Sequence, residues 1–305
     1  MFTIIMCTYN GERTIKKAID SILNQYEYEK YVEKFIVVDN SSIDGTSEIV
    51  KSYSDRILYS YEKRSGLGWA RQNGVGFVKS EWTIFIDDDN ELDKNWVVCA
   101  AQYISENTNI DLFGGTIIPK LDSIPLDDER DNLKKHLSMV ACNTYTRDEI
   151  DYTLKQSPVG CIFGAGMIIK SQYLIKLNDT GWLKQIGRTK DNTMAGDDGE
   201  IVQFVKKNGG RIGYCPYMII EHNIPSFRLQ EEYLLKLGAS LAQGVYNCQS
   251  MAPLYILRRI KTIAQYLGKH NPYQRDTLDF KLWEQSKKIY FKMLFKDKIF
   301  LKRVC

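Results

Sequence analysis

The sequence predicts an α/β fold, with a single Rossmann-like, mainly parallel sheet flanked by helices and a C-terminal helical extension. Up to about residue 118, apolar strand-like runs alternate with segments of helical periodicity. That alternation is typical of strand–helix–strand units, whose strands lie parallel under a cover of helices. From about residue 228 the apolar side chains recur at helical spacing on one face. We therefore expect a first domain over residues 1–226 and a helical, basic extension over 227–305.

Five apolar runs of strand length precede residue 119, and helical segments separate them. The predicted strands are 2–8, 35–39, 56–61, 82–87 and 111–118. Apolar residues at helical spacing over 14–23 predict the first helix. Asp44 is placed to cap a helix that begins near Thr46, and Asp93 to cap one that begins near Lys94. In such a sheet, ligands bind beyond the carboxyl ends of the strands.

Two segments of different character follow the alternating region. Residues 119–157 are polar and weakly periodic, and we interpret them as an insertion with one helix near 130–141. The apolar block 161–169 has small residues at its middle, which predicts a strand approached closely by a ligand or another backbone. Ordinary tight packing of that strand is the alternative.

The composition excludes several classes of protein. With 44% apolar residues in a chain of 305, a substantial core is expected and disorder is not. The net charge of +3 gives no general basic field, and no zinc-finger or RNA-binding motif occurs, so nucleic acid is not an expected partner. Seven cysteines without a Cys-x-x-Cys pair indicate reduced thiols in a cytosolic protein. We find no secretory signal and no apolar run of the ~18 residues that span a bilayer.

Three consecutive carboxylates follow the buried-strand pattern of residues 82–86. Asp87, Asp88 and Asp89 stand where this strand ends, and fold stability alone gives no reason for such a cluster. Mg²⁺ and Mn²⁺ prefer oxygen ligands and keep positions open for substrate phosphates. The cluster therefore predicts a site for a divalent cation and a diphosphate. A solvated Asp-rich turn is the alternative interpretation.

Further polar or glycine-containing blocks follow one another in a fixed order. Together with the acidic triplet, the blocks are Cys7–Asn10, Val37–Thr46, Gly68–Gly74, Asp87–Asp89 and Gly196–Glu200. Their order and spacing resemble the inverting family 2 glycosyltransferases with the A-type nucleotide-sugar-binding fold. The resemblance covers roughly residues 2–224. It implies a nucleotide-sugar half over about 1–118 and an acceptor half over about 158–226.

For the donor nucleotide, the resemblance implies contacts from four residues. Thr8 and Tyr9 would line the nucleoside pocket, with Tyr9 packing on the base. Asp39 would accept a hydrogen bond from a uracil-like imide, because a carboxylate is only an acceptor. Arg71 would reach the base and the phosphates, and its alternative is an ordinary arginine on a helix surface.

The resemblance also assigns the acidic triplet and one histidine. Asp87 would hold the ribose, and Asp88 belongs to the same nucleotide-binding set. Asp89 would bind the Mn²⁺ or Mg²⁺ ion that bridges the phosphates, where the ion neutralises charge on the departing diphosphate. His222 stands where many relatives have a histidine that completes the metal site, although a lone histidine is also a common structural residue.

A second acidic pair is assigned to the acceptor. Asp198 would be the catalytic base, because an acceptor hydroxyl is a poor nucleophile until its proton is removed. Asp197 is the alternative base, since the family commonly has Glu-Asp here and the Asp-Asp pair leaves the choice between neighbours open. An acidic helix start favoured by the helix dipole would explain the pair without catalysis. Trp182 would stack on the acceptor sugar, unless it belongs to the core.

Three other functions explain less of the sequence. A nicotinamide dehydrogenase needs a third glycine after Gly66 and Gly68, but position 71 is Arg. A glycoside hydrolase needs two carboxylates but neither a metal triplet nor a nucleoside pocket. An inactive relative that binds glycans or protein partners would not need both Asp89 and the second acidic pair.

The resemblance thus predicts metal-dependent, inverting transfer of a sugar from a UDP-sugar to a hydroxyl of a saccharide or lipid-linked saccharide, as in bacterial-type surface polysaccharide synthesis. Residues 281–305 add eight Lys or Arg against two acids. At ~100° per residue, the lysines gather on one side of a helix. The opposite side holds Trp283, Tyr290, Leu294 and Leu301. This segment predicts either peripheral contact with the inner face of the cytoplasmic membrane or a terminal helix packed on the catalytic domain.

Overall fold

Eight strands form one sheet through the part of the chain that the structure describes. The structure is a computed structural model, and it describes residues 1–123, 127–180, 196–251, 262, 266 and 277–296. The strands are β1 (Phe2–Thr8), β2 (Val32–Asp39), β3 (Leu58–Tyr61), β4 (Trp82–Asp87), β5 (Asn90–Leu92), β6 (Leu112–Leu121), β7 (Met167–Lys170) and β8 (Ile212–Ile224). The described residues do not include Trp182, nor Leu301 or any other residue beyond 296, and what was predicted for them stays a prediction.

The strand order is β3-β2-β1-β4-β7-β6-β8-β5. The first four strands of that order are parallel, as are β6 and β8. β7 is antiparallel to both of its neighbours, and β5 is antiparallel to β8. The predicted α/β class with a mainly parallel sheet is therefore confirmed. The antiparallel direction of β5 and β7 was not predicted.

Helices cover both faces of this sheet. They are α1 (Ile15–Leu23), α2 (Tyr28–Tyr31), α3 (Thr46–Lys51), α4 (Leu67–Val75), α5 (Trp96–Glu106), α6 (Asp127–Lys135), α7 (Ser171–Asp179), α8 (Asp197–Lys207), α9 (Glu231–Met251) and α10 (Leu278–Lys296). Alternate residues of β1 belong to different layers of the core: Ile4 and Met6 pack with α1, whereas Ile5 and Cys7 pack on the side of α4 and α8. Burial on both faces explains why these strands read as uninterrupted apolar runs.

The predicted strands before residue 119 are all present: two match at both ends, and the ends of the other three differ by at most three residues. Asp44 stands as predicted at the start of α3, where its Oδ1 accepts a hydrogen bond from the backbone N–H of Thr46 at 3.1 Å. The prediction for Asp93 is wrong, because Asn95 precedes α5 and the Asp93 carboxylate instead accepts from Arg147 at 2.6 Å. The side chain of Asp93 thus forms an ion pair with Arg147 and does not cap a helix.

Two further predictions need correction. In the polar insertion, α6 begins and ends earlier than the predicted helix, and a 3₁₀ turn over Leu137–Val140 follows it. Of the block 161–169, only the part from Met167 onward is a strand. Residues 161–166 run as a loop that ends in a turn, because Gly166 has a φ of 76°, which is outside the range of a strand. β8 was not predicted, because Pro216 interrupts its apolar pattern. The strand continues past this proline with a register shift opposite Gly115/Thr116.

The C-terminal helices pack on one another. Tyr290 of α10 meets Tyr246 of α9 with ring centroids 5.2 Å apart, and Leu294 is also buried. Tyr290 and Leu294 are therefore packed inside the protein, as the interpretation of this segment as a packed terminal helix expects. Within the described residues, no helix combines the length and apolarity that crossing a membrane requires.

Candidate active site

A cleft of about 880 Å³ opens at the carboxyl ends of the parallel strands. That volume lies within the range of small-molecule binding sites. The cleft is reached by the ends of β1 and β4, by α4, by the start of α8 and by α9. Of the predicted residues, the following line it: Thr8, Tyr9, Arg71, Asp87, Asp88, Asp89, Asp197, Asp198 and His222. The position agrees with the rule that ligands bind beyond the carboxyl ends of such strands.

The acidic triplet lies at the floor of the cleft, where β4 ends at Asp87. Each of the three carboxylates is partly buried. Asp88 Oδ2 accepts a short hydrogen bond from the hydroxyl of Thr8, at the end of the neighbouring strand β1. Burial, together with the negative charge of Asp89, raises the pKa of Asp88 to about 7. Asp88 and Asp89 thus form a turn, as the alternative interpretation expected, but the turn is partly buried and not fully solvated.

Asp89 meets two cationic groups from the last third of the described chain. Its Oδ2 lies 3.2 Å from His222 Nε2 and 3.2 Å from Arg228 Nη1. Burial alone would lower the pKa of His222, but the charge and hydrogen bond of Asp89 outweigh it and raise the pKa to about 10. On the other side of the ring, Nδ1 lies 3.9 Å from Cys142 Sγ. His222 is therefore fixed at both ring nitrogens.

Asp89 and His222 are the predicted metal ligands, and the structure brings them together. Across the described residues, no group of three or more His, Cys, Asp or Glu side chains is arranged to hold a metal ion. One carboxylate oxygen and one neutral imidazole nitrogen nevertheless fit an ion such as Mn²⁺ that takes its remaining ligands from phosphate oxygens and water. Imidazole is a less suitable ligand for Mg²⁺. Arg228 offers no lone pair, so its contact with Asp89 competes with such an ion.

On the nucleoside side, Tyr9 and Asp39 differ in accessibility. Tyr9 lines the cleft with 40% of its side chain exposed, which leaves its ring free to pack on a planar base. Asp39 is 1% exposed, and both of its oxygens already accept hydrogen bonds, from the backbone of Ser42 at 2.8 Å and from Tyr59 at 2.9 Å. Its neighbour Asn40 reaches the cleft wall instead. The structure does not bring Asp39 to the cleft surface.

Arg71 makes a different contact from the one expected. It is 2% exposed, and its Nη1 donates to Asp197 Oδ2 and to Asp198 Oδ1, both at 2.6 Å. The guanidinium lies over the ring of Phe85, 5.0 Å from its centroid. The interpretation of Arg71 as an ordinary surface arginine is wrong, because the side chain is buried and pairs with two carboxylates.

The acidic pair begins α8, as the sequence indicated. The two carboxylates are not equivalent: 30% of the Asp198 side chain is exposed, against 7% for Asp197. Asp198 Oδ2 also accepts a hydrogen bond of 2.8 Å from the backbone N–H of Gly164, in the loop before β7. Asp198 is therefore the member of the pair that is both oriented by the chain and open to the cleft.

Sequence reasoning missed Arg228 and the contribution of α9. Tyr233, Leu241 and Gly244 of α9 line the cleft, so the predicted C-terminal extension supplies one of its walls. The apolar spacing of α9 gave its helical character but could not show which part of the helix faces the cleft. Arg228 belongs to no motif, and only its place shortly after His222 connects it with the site.

Comparison with known sequences finds one family. The chain matches the model of Glycosyl transferase family 2 over residues 3–172. Glycosyltransferase GlyA of Streptococcus pneumoniae is 34% identical over 107 residues, which cover 34% of this chain and 15% of GlyA. Poly(ribitol-phosphate) beta-N-acetylglucosaminyltransferase TarS of Staphylococcus aureus is 30% identical over 110 residues, covering 35% of this chain and 19% of TarS. This chain thus aligns with less than a fifth of the length of either relative.

Solved structures show the same fold. S. aureus TarS superposes with a TM-score of 0.54 at 18% identity, over 90% of this chain and 44% of the TarS chain. TarS 1–349 in complex with UDP-GlcNAc gives a TM-score of 0.51 at 18% identity, over 95% of this chain and 80% of that one. The fold thus rests on structure, and the family on the sequence match. Because that match covers more than half of the 305 residues, the chain belongs to glycosyl transferase family 2.

Proposed function

We propose that this protein is a metal-dependent, inverting glycosyltransferase. It transfers a sugar from a UDP-sugar to a hydroxyl of a saccharide or lipid-linked saccharide during surface polysaccharide synthesis. The observation that carries the proposal is that one cleft holds both the acidic triplet ending β4 and the acidic pair beginning α8. The first provides a place for a diphosphate and its cation, and the second a base. The resolved complex of TarS 1–349 with UDP-GlcNAc, which has this fold, supports the choice of donor.

The proposed reaction is a single displacement. Asp198 removes the proton of the acceptor hydroxyl while the hydroxyl oxygen attacks the anomeric carbon. The bond from that carbon to the diphosphate oxygen breaks, and UDP leaves with the bonding electrons. One base opposite one leaving group inverts the anomeric carbon. Arg228 lies beside Asp89, where its positive charge is available to a diphosphate.

Mn²⁺ or Mg²⁺ would be held by Asp89 and His222, and when bound it would neutralise charge on the leaving diphosphate. Asp87 is proposed to hold the ribose, with Asp88 and Thr8 closing the nucleotide side of the cleft. Tyr9 would pack on the base. Asp39 is 1% exposed, so it can bind the base directly only if the residues that cover it move. We therefore expect it to act by shaping the loop that contains Asn40.

The reaction is tested by mixing the protein with a panel of nucleotide sugars, including UDP-GlcNAc, and measuring release of free nucleoside diphosphate. We expect release with at least one UDP-sugar and its loss when a chelator is added. The anomeric configuration of the product, measured by NMR, tests the displacement, and retention would exclude it. Binding of UDP without turnover on any donor and acceptor would instead favour a binding protein.

We also propose peripheral contact with anionic membranes on the cytoplasmic side, limited to electrostatic attraction. Lys288, Lys292 and Lys296 are exposed on α10, whereas the apolar residues Tyr290 and Leu294 are buried inside the protein. Vesicle flotation of the wild type and of a variant with these lysines changed to Gln tests the contact. We expect salt-sensitive binding that the variant loses, since lysines near an anionic surface contribute about 1 kcal/mol each. Equal flotation of both proteins contradicts the proposal.

A further inference from the structure

Arg71 links the acidic pair to the floor of the cleft. Its Nη1 bonds to Asp197 and Asp198 at 2.6 Å, and the guanidinium also interacts electrostatically with Asp87 at the end of β4. One cation therefore stands between three carboxylates. Without it, Asp197 and Asp198 would be adjacent ionised groups in a largely buried place, which is unfavourable.

The environment of Arg71 holds the guanidinium in this position. One face lies on the ring of Phe85. On another side, a Cβ added at Gly164 would come within 2.1 Å of Arg71 Nη2 and 2.4 Å of Asp198 Oδ1. Only glycine leaves room here for the pair to meet. With 2% of the side chain exposed, Arg71 can contact a nucleotide only by withdrawing from its carboxylate partners.

We infer that Arg71 is the positioning residue of the catalytic base, and not a nucleotide-binding residue. The inference rests on the proposed function of Asp198. Arg71 fixes one oxygen of Asp198 while the backbone N–H of Gly164 fixes the other. Each oxygen keeps a second lone pair, so the carboxylate stays able to accept the proton of an acceptor hydroxyl. Asp197 completes the arrangement as the buried counter-charge.

The test separates kcat from nucleotide affinity in the full-length protein. Arg71→Lys keeps the charge but cannot hold two carboxylates in one plane. We expect kcat to fall roughly 100-fold, the loss that misplacing a reacting group by about 1 Å produces. We expect the Kd of UDP, measured by calorimetry, to change less than about threefold. A UDP affinity that falls in parallel with kcat would assign Arg71 to the nucleotide and overturn the inference.

Two further variants keep the test decisive if Arg71→Lys folds poorly. Arg71→Gln combined with Asp197→Asn removes one cation and one anion, so the buried charge stays balanced. Gly164→Ala displaces the Arg71–Asp198 contact while keeping both residues. We expect both proteins to bind UDP as the wild type does and to show the same loss of kcat. Wild-type turnover in either one contradicts the inference.

Arg147→Gln is the matched control, because Arg147 also bridges two carboxylates, at 2.6 and 3.0 Å, but stands outside the cleft lining. It should leave both kcat and UDP affinity near wild type. Turnover of the wild type is established first with the donor panel. If the wild type neither binds UDP nor turns over, the proposed function fails; if it does both and Arg71→Lys loses UDP affinity, only this inference fails.

Discussion

Asp198→Asn is the substitution that tests the candidate site most directly. Both oxygens of Asp198 accept hydrogen bonds, one from Arg71 and one from the backbone N–H of Gly164. An amide has one oxygen and one NH₂ group, so it must turn a donor toward one of these two donors. The variant therefore loses one hydrogen bond to a charged group or leaves a buried N–H unpaired. The expected cost in the free energy of unfolding is about 1.5–3 kcal/mol.

The catalytic effect of this substitution should be larger than its effect on stability. General-base catalysis contributes roughly 10²–10⁴-fold, or about 3–5 kcal/mol of the activation barrier. UDP affinity should not change, because the lost step is proton removal from the acceptor and not nucleotide binding. A fall in kcat of this size, with an unchanged Kd for UDP, is the expected result.

The assay combines urea denaturation, calorimetric titration with UDP, and initial rates of UDP release with donor and acceptor. Asp148→Asn is the control, because Asp148 is an exposed acid whose loss should change none of the three. Near wild-type turnover of Asp198→Asn together with an inactive Asp197→Asn would move the base to Asp197. Activity in both variants would refute the assignment of the base to this pair.

Three other outcomes follow from the structure. Asp89→Ala should weaken UDP binding in the presence of Mn²⁺ more than in its absence, as calorimetry would show; equal weakening contradicts a metal role. Gly115→Ala should lower the free energy of unfolding by about 1–3 kcal/mol, because the new Cβ would lie 2.2 Å from a backbone carbonyl oxygen on β8. Gly76→Ala, at an exposed helix end, is the control and should be nearly neutral in the same urea titration. Partial desolvation raises the pKa of the exposed Cys161 thiol to about 11, and burial raises that of Cys7 to about 12. The rate at which maleimide modifies Cys161 should therefore rise about tenfold per pH unit between 7 and 9 and fall when UDP-GlcNAc is added, while Cys7 stays unmodified. Mass spectrometry of the labelled peptides checks both.

Local sequence patterns predicted the parallel half of the sheet because its strands are buried on both faces. A run such as residues 82–87 has no charged residue until the strand leaves the core at Asp87. The carboxylates that follow mark the end of the strand, so fold and site could be predicted from the same residues. Asp44 at the start of α3 was predictable for a similar reason, since the contact spans two positions of the chain.

Contacts between distant parts of the chain could not be predicted in this way. Arg71 and Asp197 are 126 positions apart, and Asp89 and Arg228 are 139 positions apart. Which of these side chains meet depends on the positions that β7 and β8 take in the sheet. Asp39 shows the same limit: its place at the end of β2 was correctly predicted, but the contacts of its two oxygens with Ser42 and Tyr59 were not.

The pairing of β5 with β8 has a consequence for biosynthesis. Asn90 lies opposite His222 in that ladder, and a slip of one residue would turn the histidine to the other face of the sheet. Asp89 and His222 are 133 positions apart, so they can meet only after the ribosome has released nearly three quarters of the chain. A nascent chain that ends before β8 has the acidic triplet at the floor of the cleft without His222, Arg228 or the wall from α9. In a pulse-labelled translation reaction, donor binding by the new chains should therefore reach its full level only after β5 and β8 have paired.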